Sequence, residues 1–86
     1  MRTYEMRLPG FDARGNRGLI RWELFLHPDV REVLLTPRED TLCVVFQGQP
    51  DPARWADTLT AAGFPEPLFE DATGDLPVEG PRDAAA

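Results

Sequence analysis

The sequence predicts an α+β fold in which two helices cover one face of a four-stranded antiparallel sheet. Three observations lead to this prediction. Segments of β-branched or alternating apolar and polar residues, typical of strands, occupy four separate parts of the chain. Two segments with apolar residues at helical spacing lie between them, so the predicted element order is βαββαβ. Only one side of each strand is fully apolar, so the helices are expected to cover one sheet face.

The first strand is predicted over residues 2–8, and the first helix over residues 16–27. In the strand, Tyr4, Met6 and Leu8 alternate with polar residues, and Pro9 and Gly10 end the pattern. In the helix, Ile20, Leu24 and His27 lie at helical spacing, and Pro28 with Asp29 is expected to end the element.

A hairpin and the second helix follow. The hairpin strands carry Val30, Val33 and Leu35 on one arm and Leu42, Val44 and Phe46 on the other, around a polar break over residues 36–40. Asp51 is then a good N-cap and Pro52 suits the first helical position. Trp55, Leu59 and Ala62 form the apolar stripe of this helix, and Gly63 is a natural residue to end it.

The last strand is predicted within residues 64–70, at an edge of the sheet because Pro65 and Pro67 interrupt it. From Asp71 the composition shifts to Gly, Pro, Ala and acidic residues. We therefore predict one domain over residues 1–70 and a loosely ordered or disordered acidic tail over residues 71–86. The complete order is that of the split βαβ, or ferredoxin-like, sandwich.

Composition limits the possible functions of the 86-residue chain. Residues 1–38 carry seven arginines and five acids, whereas residues 39–86 carry two arginines and ten acids, and the net charge is −6. This balance argues against nucleic acid as a partner, because phosphate binding requires clustered cations. The sequence contains neither a membrane-spanning apolar run nor an N-terminal signal pattern, so we expect a cytoplasmic protein without membrane contact.

The predicted loop and helices resemble the heavy-metal-associated domain of copper chaperones and metal-transporting ATPases. That family's pattern runs Gly-Met-x-Cys-x-x-Cys, an apolar helix, two Val-rich strands and a second helix ending in Gly-Tyr. Gly10 and Phe11 stand at the Gly-Met positions, and Gly63 and Phe64 at the closing Gly-Tyr positions. The resemblance covers residues 4–70 and implies a ferredoxin-like fold.

The family's two cysteine positions hold Ala13 and Asn16 in this sequence. Neither side chain supplies the thiolates that hold a soft ion such as Cu(I). The resemblance therefore implies a degenerate copy of the domain without its metal site, and we expect no metal and no other cofactor. A scattered soft-metal site from Met1, Met6, His27 and Cys43 fits no tight ligand spacing.

The loop before the first helix is a candidate anion site. Arg14, Arg17 and Arg21 lie near a predicted helix N-terminus, where backbone N–H groups and guanidinium groups favour phosphate or a carboxylate. The alternative is a solvated loop whose arginines cover apolar surface or pair with Asp12 and Glu23.

Two apolar sets are candidate interfaces. Leu34, Cys43 and Val45 are expected on the sheet face opposite the helices, which an open sandwich leaves uncovered, with Cys43 as a partly exposed thiol between Glu5 and Arg7. On the first helix, a second apolar set lies beyond the core stripe: Leu19, Trp22, Phe25 and Leu26. The tail segment with Leu68, Phe69, Leu76 and Val78, a second subunit or a partner protein could cover this set.

No Ser/His/Asp set lies at motif spacing, and the acidic pairs sit in a turn and near the tail, so we expect no enzyme. The lone His27 is expected to pack or cap at the end of the first helix. The sequence predicts a non-catalytic binding or protein-interaction module with a protein partner or a homodimer. A small-ligand (anion) or soft-metal carrier is the alternative, and an accessory enzyme subunit is a weaker one.

Overall fold

The computed structural model describes residues 2–72, which contain two helices and a four-stranded antiparallel sheet. The elements in chain order are β1 (Arg2–Arg7), α1 (Arg17–Leu24), β2 (Val30–Leu35), β3 (Thr41–Phe46), α2 (Pro52–Ala61) and β4 (Leu68–Asp71). The strands lie in the order β2-β3-β1-β4, so β2 and β4 are the edges. The predicted α+β class is confirmed.

Both helices pack on the same sheet face, because their buried residues belong to one cluster with one side of the strands. Ile20 and Leu24 of α1 and Trp55 and Leu59 of α2 are fully buried there. The sheet and its loops contribute Met6, Leu8, Val30, Val33, Leu42, Val44 and Phe46. The periodicity of the sequence predicts most of this inner face, but Ala62, which it places in the apolar stripe of the second helix, is exposed.

An aromatic cluster lies under α2 and joins it to three strands. The ring of Trp55 packs edge-on against Phe46 at 5.4 Å and Phe69 at 5.7 Å between centroids. Tyr4 lies 5.2 Å from Phe46 in the same edge-to-face geometry. Such contacts add stability beyond apolar burial. This cluster attaches the edge strand β4 to the core.

A β-bulge in β2 explains the spacing of its apolar residues. The pairing with β3 shifts between Val30 and Glu32, so Val30 and Val33 both face the core although they are three residues apart. Leu35, the third apolar residue predicted for this strand, is 37% exposed because it lies at the end of an edge strand.

Helix α1 is shorter than predicted and ends at Leu24 rather than His27. The amides of Leu26 and His27 bond three residues back, to Glu23 and Leu24, which tightens the chain into a turn. The cause is Pro28, which disfavours helical backbone at the residue before it.

Helix α2 agrees with the sequence prediction at both ends. Asp51 is its N-cap and accepts a hydrogen bond from the amide of Arg54 at 3.3 Å, and Pro52 follows in the first turn. After the helix, Gly63 has a φ of +98°, the left-handed conformation that favours glycine.

The last strand begins later than predicted, at Leu68, because Pro65 and Pro67 cannot donate to a ladder. It continues to Asp71, and the amide of Ala72 still donates to the Thr3 carbonyl at 3.0 Å. The predictions for residues 73–86, including Leu76 and Val78, lie outside the described residues. Over residues 2–72, no helix is long and apolar enough to cross a membrane.

Candidate interaction surface on the first helix

The outer side of α1 and the turn after it expose four large apolar side chains. Leu19 is 62% and Trp22 77% exposed, three residues apart and so on the same side of α1, and Leu26, in the turn after the helix, is 71% exposed. Phe25 is 42% exposed beside them. We call these four residues the outer stripe. Ile20 and Leu24 of the same helix are fully buried, so α1 is apolar on two sides.

Arg21 borders the outer stripe and is held in place by two contacts. Its guanidinium carbon lies 4.5 Å from the centroid of the Phe25 ring, a cation–π arrangement. Its Nε donates to Glu32 Oε1 at 2.7 Å. The hydrogen bond from Arg21 is the main cause that holds the pKa of Glu32 below its usual range. These contacts orient one border of the stripe.

Two of the three arginines of the candidate anion site bond to residues of β2. Arg17 donates from Nε to the carbonyl oxygen of Val33 at 2.8 Å, so it points at β2, as Arg21 does. Arg14 is exposed, and within residues 2–72 its side chain makes no hydrogen bond or ion pair.

The sequence alternative for these arginines, pairing with Asp12 and Glu23, is also not what the structure shows. Asp12 Oδ1 instead accepts from the amide of Gly15 at 2.9 Å. Glu32 is the carboxylate that Arg21 meets, and sequence reasoning missed this contact because it joins two elements eleven residues apart.

The two positions that the sequence resemblance aligns with the cysteines of heavy-metal-associated domains hold Ala13 and Asn16. Ala13 is fully buried in the core. The side-chain amide of Asn16 donates to the Asp12 carbonyl at 2.8 Å and stabilises the loop. A methyl group and an amide do not offer the soft donors that Cu(I) requires.

Leu34, Cys43 and Val45 share the sheet face opposite the helices, where Leu34 lies directly across from Cys43. The expectation of an uncovered thiol is wrong, because Cys43 is 3% and Val45 8% exposed on the central strand β3. Burial raises the pKa of Cys43 to about 11, and the charge of Glu5 adds to this. The thiol is buried and protonated at neutral pH, whereas the thiolate is the reactive form.

His27 joins the end of α1 to α2. Its Nε2 lies 2.7 Å from the hydroxyl oxygen of Thr58, in agreement with a packing role. Across the described part of the chain, no three His, Cys, Asp or Glu side chains are grouped so that they could hold a metal ion.

No protein-family model matches the chain. No curated protein matches it either. Among solved structures, one described as "Crosstalk between Cu(I) and Zn(II) homeostasis" is similar, with a TM-score of 0.58 and 18% sequence identity. The similarity covers 85% of this chain and 99% of that chain. At this identity the likeness shows a shared fold alone.

Proposed function

We propose that the chain is a non-catalytic protein-interaction module, whose outer stripe on α1 contacts a protein partner or a second copy of the chain. The observation that carries this proposal is the exposure of Leu19 and Trp22 on the outer side of α1 and of Leu26 in the turn after it. Contiguous exposed apolar side chains are a mark of interaction sites on small proteins. Tryptophan and arginine are also the residues most enriched where protein interfaces concentrate their binding energy.

The proposal also includes a specific fold and a relationship to a known class of domain. We propose that the chain is a ferredoxin-like sandwich, which the element order and the position of both helices on one sheet face support. We further propose a degenerate relationship to heavy-metal-associated domains, in which Ala13 and Asn16 replace the metal ligands. The similarity to a structure concerned with Cu(I) and Zn(II) homeostasis supports this relationship at the level of fold.

The experiment compares Trp22→Asp with Leu68→Asp. Leu68 is 56% exposed and pairs with Arg7 on the sheet face away from the helices. Its variant therefore removes a similar apolar side chain from another surface. Sedimentation equilibrium over a wide concentration range measures self-association. Quantitative co-purification measures how much of a partner protein each variant binds. We expect the Trp22 variant to weaken binding by at least about tenfold and the Leu68 variant to leave it unchanged.

Equal association of wild type and the Trp22 variant would contradict the proposal. The proposal would also be contradicted if the wild type stayed monomeric and every protein that co-purified with it also co-purified with the Trp22 variant. Far-UV circular dichroism of both variants shows that any loss of binding is not a loss of fold.

The alternative function is a carrier of a small anion or of a soft metal ion. The exposed Arg14 is the feature that favours the anion, while Arg17 and Arg21 already bond to β2. Calorimetric titration with inorganic phosphate, and competition for Cu(I) or Zn(II) against a chelator, test this alternative. Binding no tighter than about millimolar, roughly 4 kcal/mol, would remove it. An accessory role in an enzyme completed by another chain is the third, weaker possibility.

A further inference from the structure

Strand β2 is an edge of the sheet, because it pairs with β3 on one side only. The N–H and C=O groups on the free side of an edge strand can pair with a strand from another molecule. In β2 the residue at the middle of this free side is Val33, whose main-chain groups bond to side chains rather than to β3.

Both main-chain groups of Val33 are occupied by side chains of this chain. The carbonyl oxygen accepts from Arg17 Nε at 2.8 Å, and the amide donates to Glu32 Oε1 at 2.9 Å. Arg21 donates to the same Glu32 oxygen at 2.7 Å and holds the carboxylate over the edge. Helix α1 thus supplies Arg17, which covers the carbonyl oxygen of Val33, and Arg21, which holds the carboxylate that covers the Val33 amide.

We propose that Arg17 and Glu32 close the edge of β2 against the addition of a strand from a second copy of this chain. The proposal does not rest on binding through the outer stripe, although Arg21 contacts Phe25 of that stripe. Two further features agree with it. The bulge between Val30 and Glu32 interrupts the regular edge. The opposite edge, β4, has only four residues.

The strand that this arrangement prevents from pairing with β2 is the β2 strand of a second molecule. Residues 33–35 form an apolar run on the edge, with Leu34 half-buried and Leu35 37% exposed. Every copy of the chain carries the same run, so a matching strand is always present in solution. With both main-chain groups of Val33 uncovered, antiparallel pairing of two β2 strands would satisfy them and bury these side chains.

Amide hydrogen exchange tests the closure in the wild-type protein. By alternation along the strand, the amides of Val33 and Leu35 face the same free side, but only that of Val33 has a carboxylate acceptor within residues 2–72. We expect Val33 to exchange about tenfold more slowly than Leu35 after correction for intrinsic rates. The difference should vanish in Glu32→Met. Equal rates in the wild type would overturn the proposal.

Self-association tests the consequence. The double variant Arg17→Met and Glu32→Met removes both covering groups, and Arg14→Met with Glu39→Met makes the same charge change at two exposed side chains. Both are made in the Trp22→Asp background, so that association through the outer stripe is absent. We expect only the Arg17 and Glu32 variant to form dimers or larger species in sedimentation experiments. If it remains folded by circular dichroism and sediments like its control, the proposal is overturned.

Discussion

At the scale of single residues, several side chains have roles that their type alone does not reveal. Arg17 and Arg21 look like solvated cations in the sequence, yet both bond to β2. Cys43 sits on a strand face that no helix covers, yet only 3% of it is exposed. The indole N–H of Trp55 is buried without a hydrogen-bond partner within the described residues. In each case neighbouring strands or helices decide the environment.

The burial of Cys43 predicts slow chemistry. Because burial raises the thiol pKa to about 11, the reactive thiolate is scarce at neutral pH. We expect a disulfide reagent to label the native protein far more slowly than the urea-unfolded protein, with Cys43→Ala as the blank. Rapid stoichiometric labelling of the native state would contradict this.

The same pKa shift has a consequence for stability at high pH. The unfolded thiol ionises near its ordinary pKa of 9.0, whereas the folded one stays protonated until about 11. The unfolded state therefore loses its proton first, and the free energy of unfolding should fall as the pH rises from 9.0 to about 11. Urea denaturation of the wild type and Cys43→Ala across this range measures the difference, which should be absent in the variant.

At the scale of elements, α1 is unusual because it carries apolar side chains on both its inner and outer sides. Its inner residues, Ile20 and Leu24, belong to the core, whereas Leu19 and Trp22 face outward. Within residues 2–72, the outer apolar side of α1 is exposed. By contrast, α2 has buried residues on one side only and regular ends.

The two sides of α1 should respond differently to the same truncation. Leu24→Ala removes a fully buried side chain and should lower the free energy of unfolding by about 2–5 kcal/mol. Leu19→Ala removes an exposed one and should change it by about 0.5 kcal/mol or less. Chemical denaturation of both variants at low protein concentration tests this. Similar losses would mean that Leu19 is covered within the monomer.

The N-cap of α2 gives a second prediction for an element. Asp51→Ala removes the acceptor for the Arg54 amide and should cost about 1 kcal/mol of stability. Asp57→Ala, at an exposed position within the same helix, is the matched control and should cost less. Thermal or urea denaturation measures both, and equal losses would argue against the cap.

At the scale of the whole molecule, four strands and two helices share one small core within residues 2–72, and the charged side chains of this part lie around it. Ion pairs join elements that are distant in sequence, such as Arg21 with Glu32 and Arg7 with Asp40. These pairs are partly exposed, so each contributes modestly to stability. Their shared property is that they depend on ionised carboxylates.

Acid should therefore weaken the fold in a defined direction. The hydrogen bond from Arg21 lowers the pKa of Glu32, and the hydroxyl of Thr41, with Arg7, lowers that of Asp40. The stability from these groups is fully present above their ordinary pKa values, 4.5 and 3.8. It is lost as the pH falls through the lowered values of the folded state.

Urea denaturation at a series of pH values below 5 measures this loss. We expect Glu32→Gln to reduce the pH dependence, because the variant carries no titrating group at that position. Glu39→Gln, at an exposed carboxylate, is the control. An unchanged pH profile in Glu32→Gln would contradict the assigned ion pair.

Most of the fold could be predicted from local signals. Alternation located β1 and β3, and Asp51, Pro52 and Gly63 located both ends of α2, because caps and turns depend on a few neighbouring residues. The candidate site was predicted less well. The residues of the outer stripe were identified as surplus apolar side chains, but whether they were exposed depended on which side of α1 met the sheet.

The sequence by itself therefore determined the α+β class, the helical and strand segments and the apolar surplus on α1, since each follows from periodicity along the chain. The tertiary structure alone decided where the polar side chains point. Arg17 and Glu32 meet Val33, and Cys43 becomes buried, because α1 and the strands come together across long stretches of sequence. Such contacts leave no periodic signal in the sequence. Only the folded chain shows which side of α1 is exposed and which side contacts the edge strand β2.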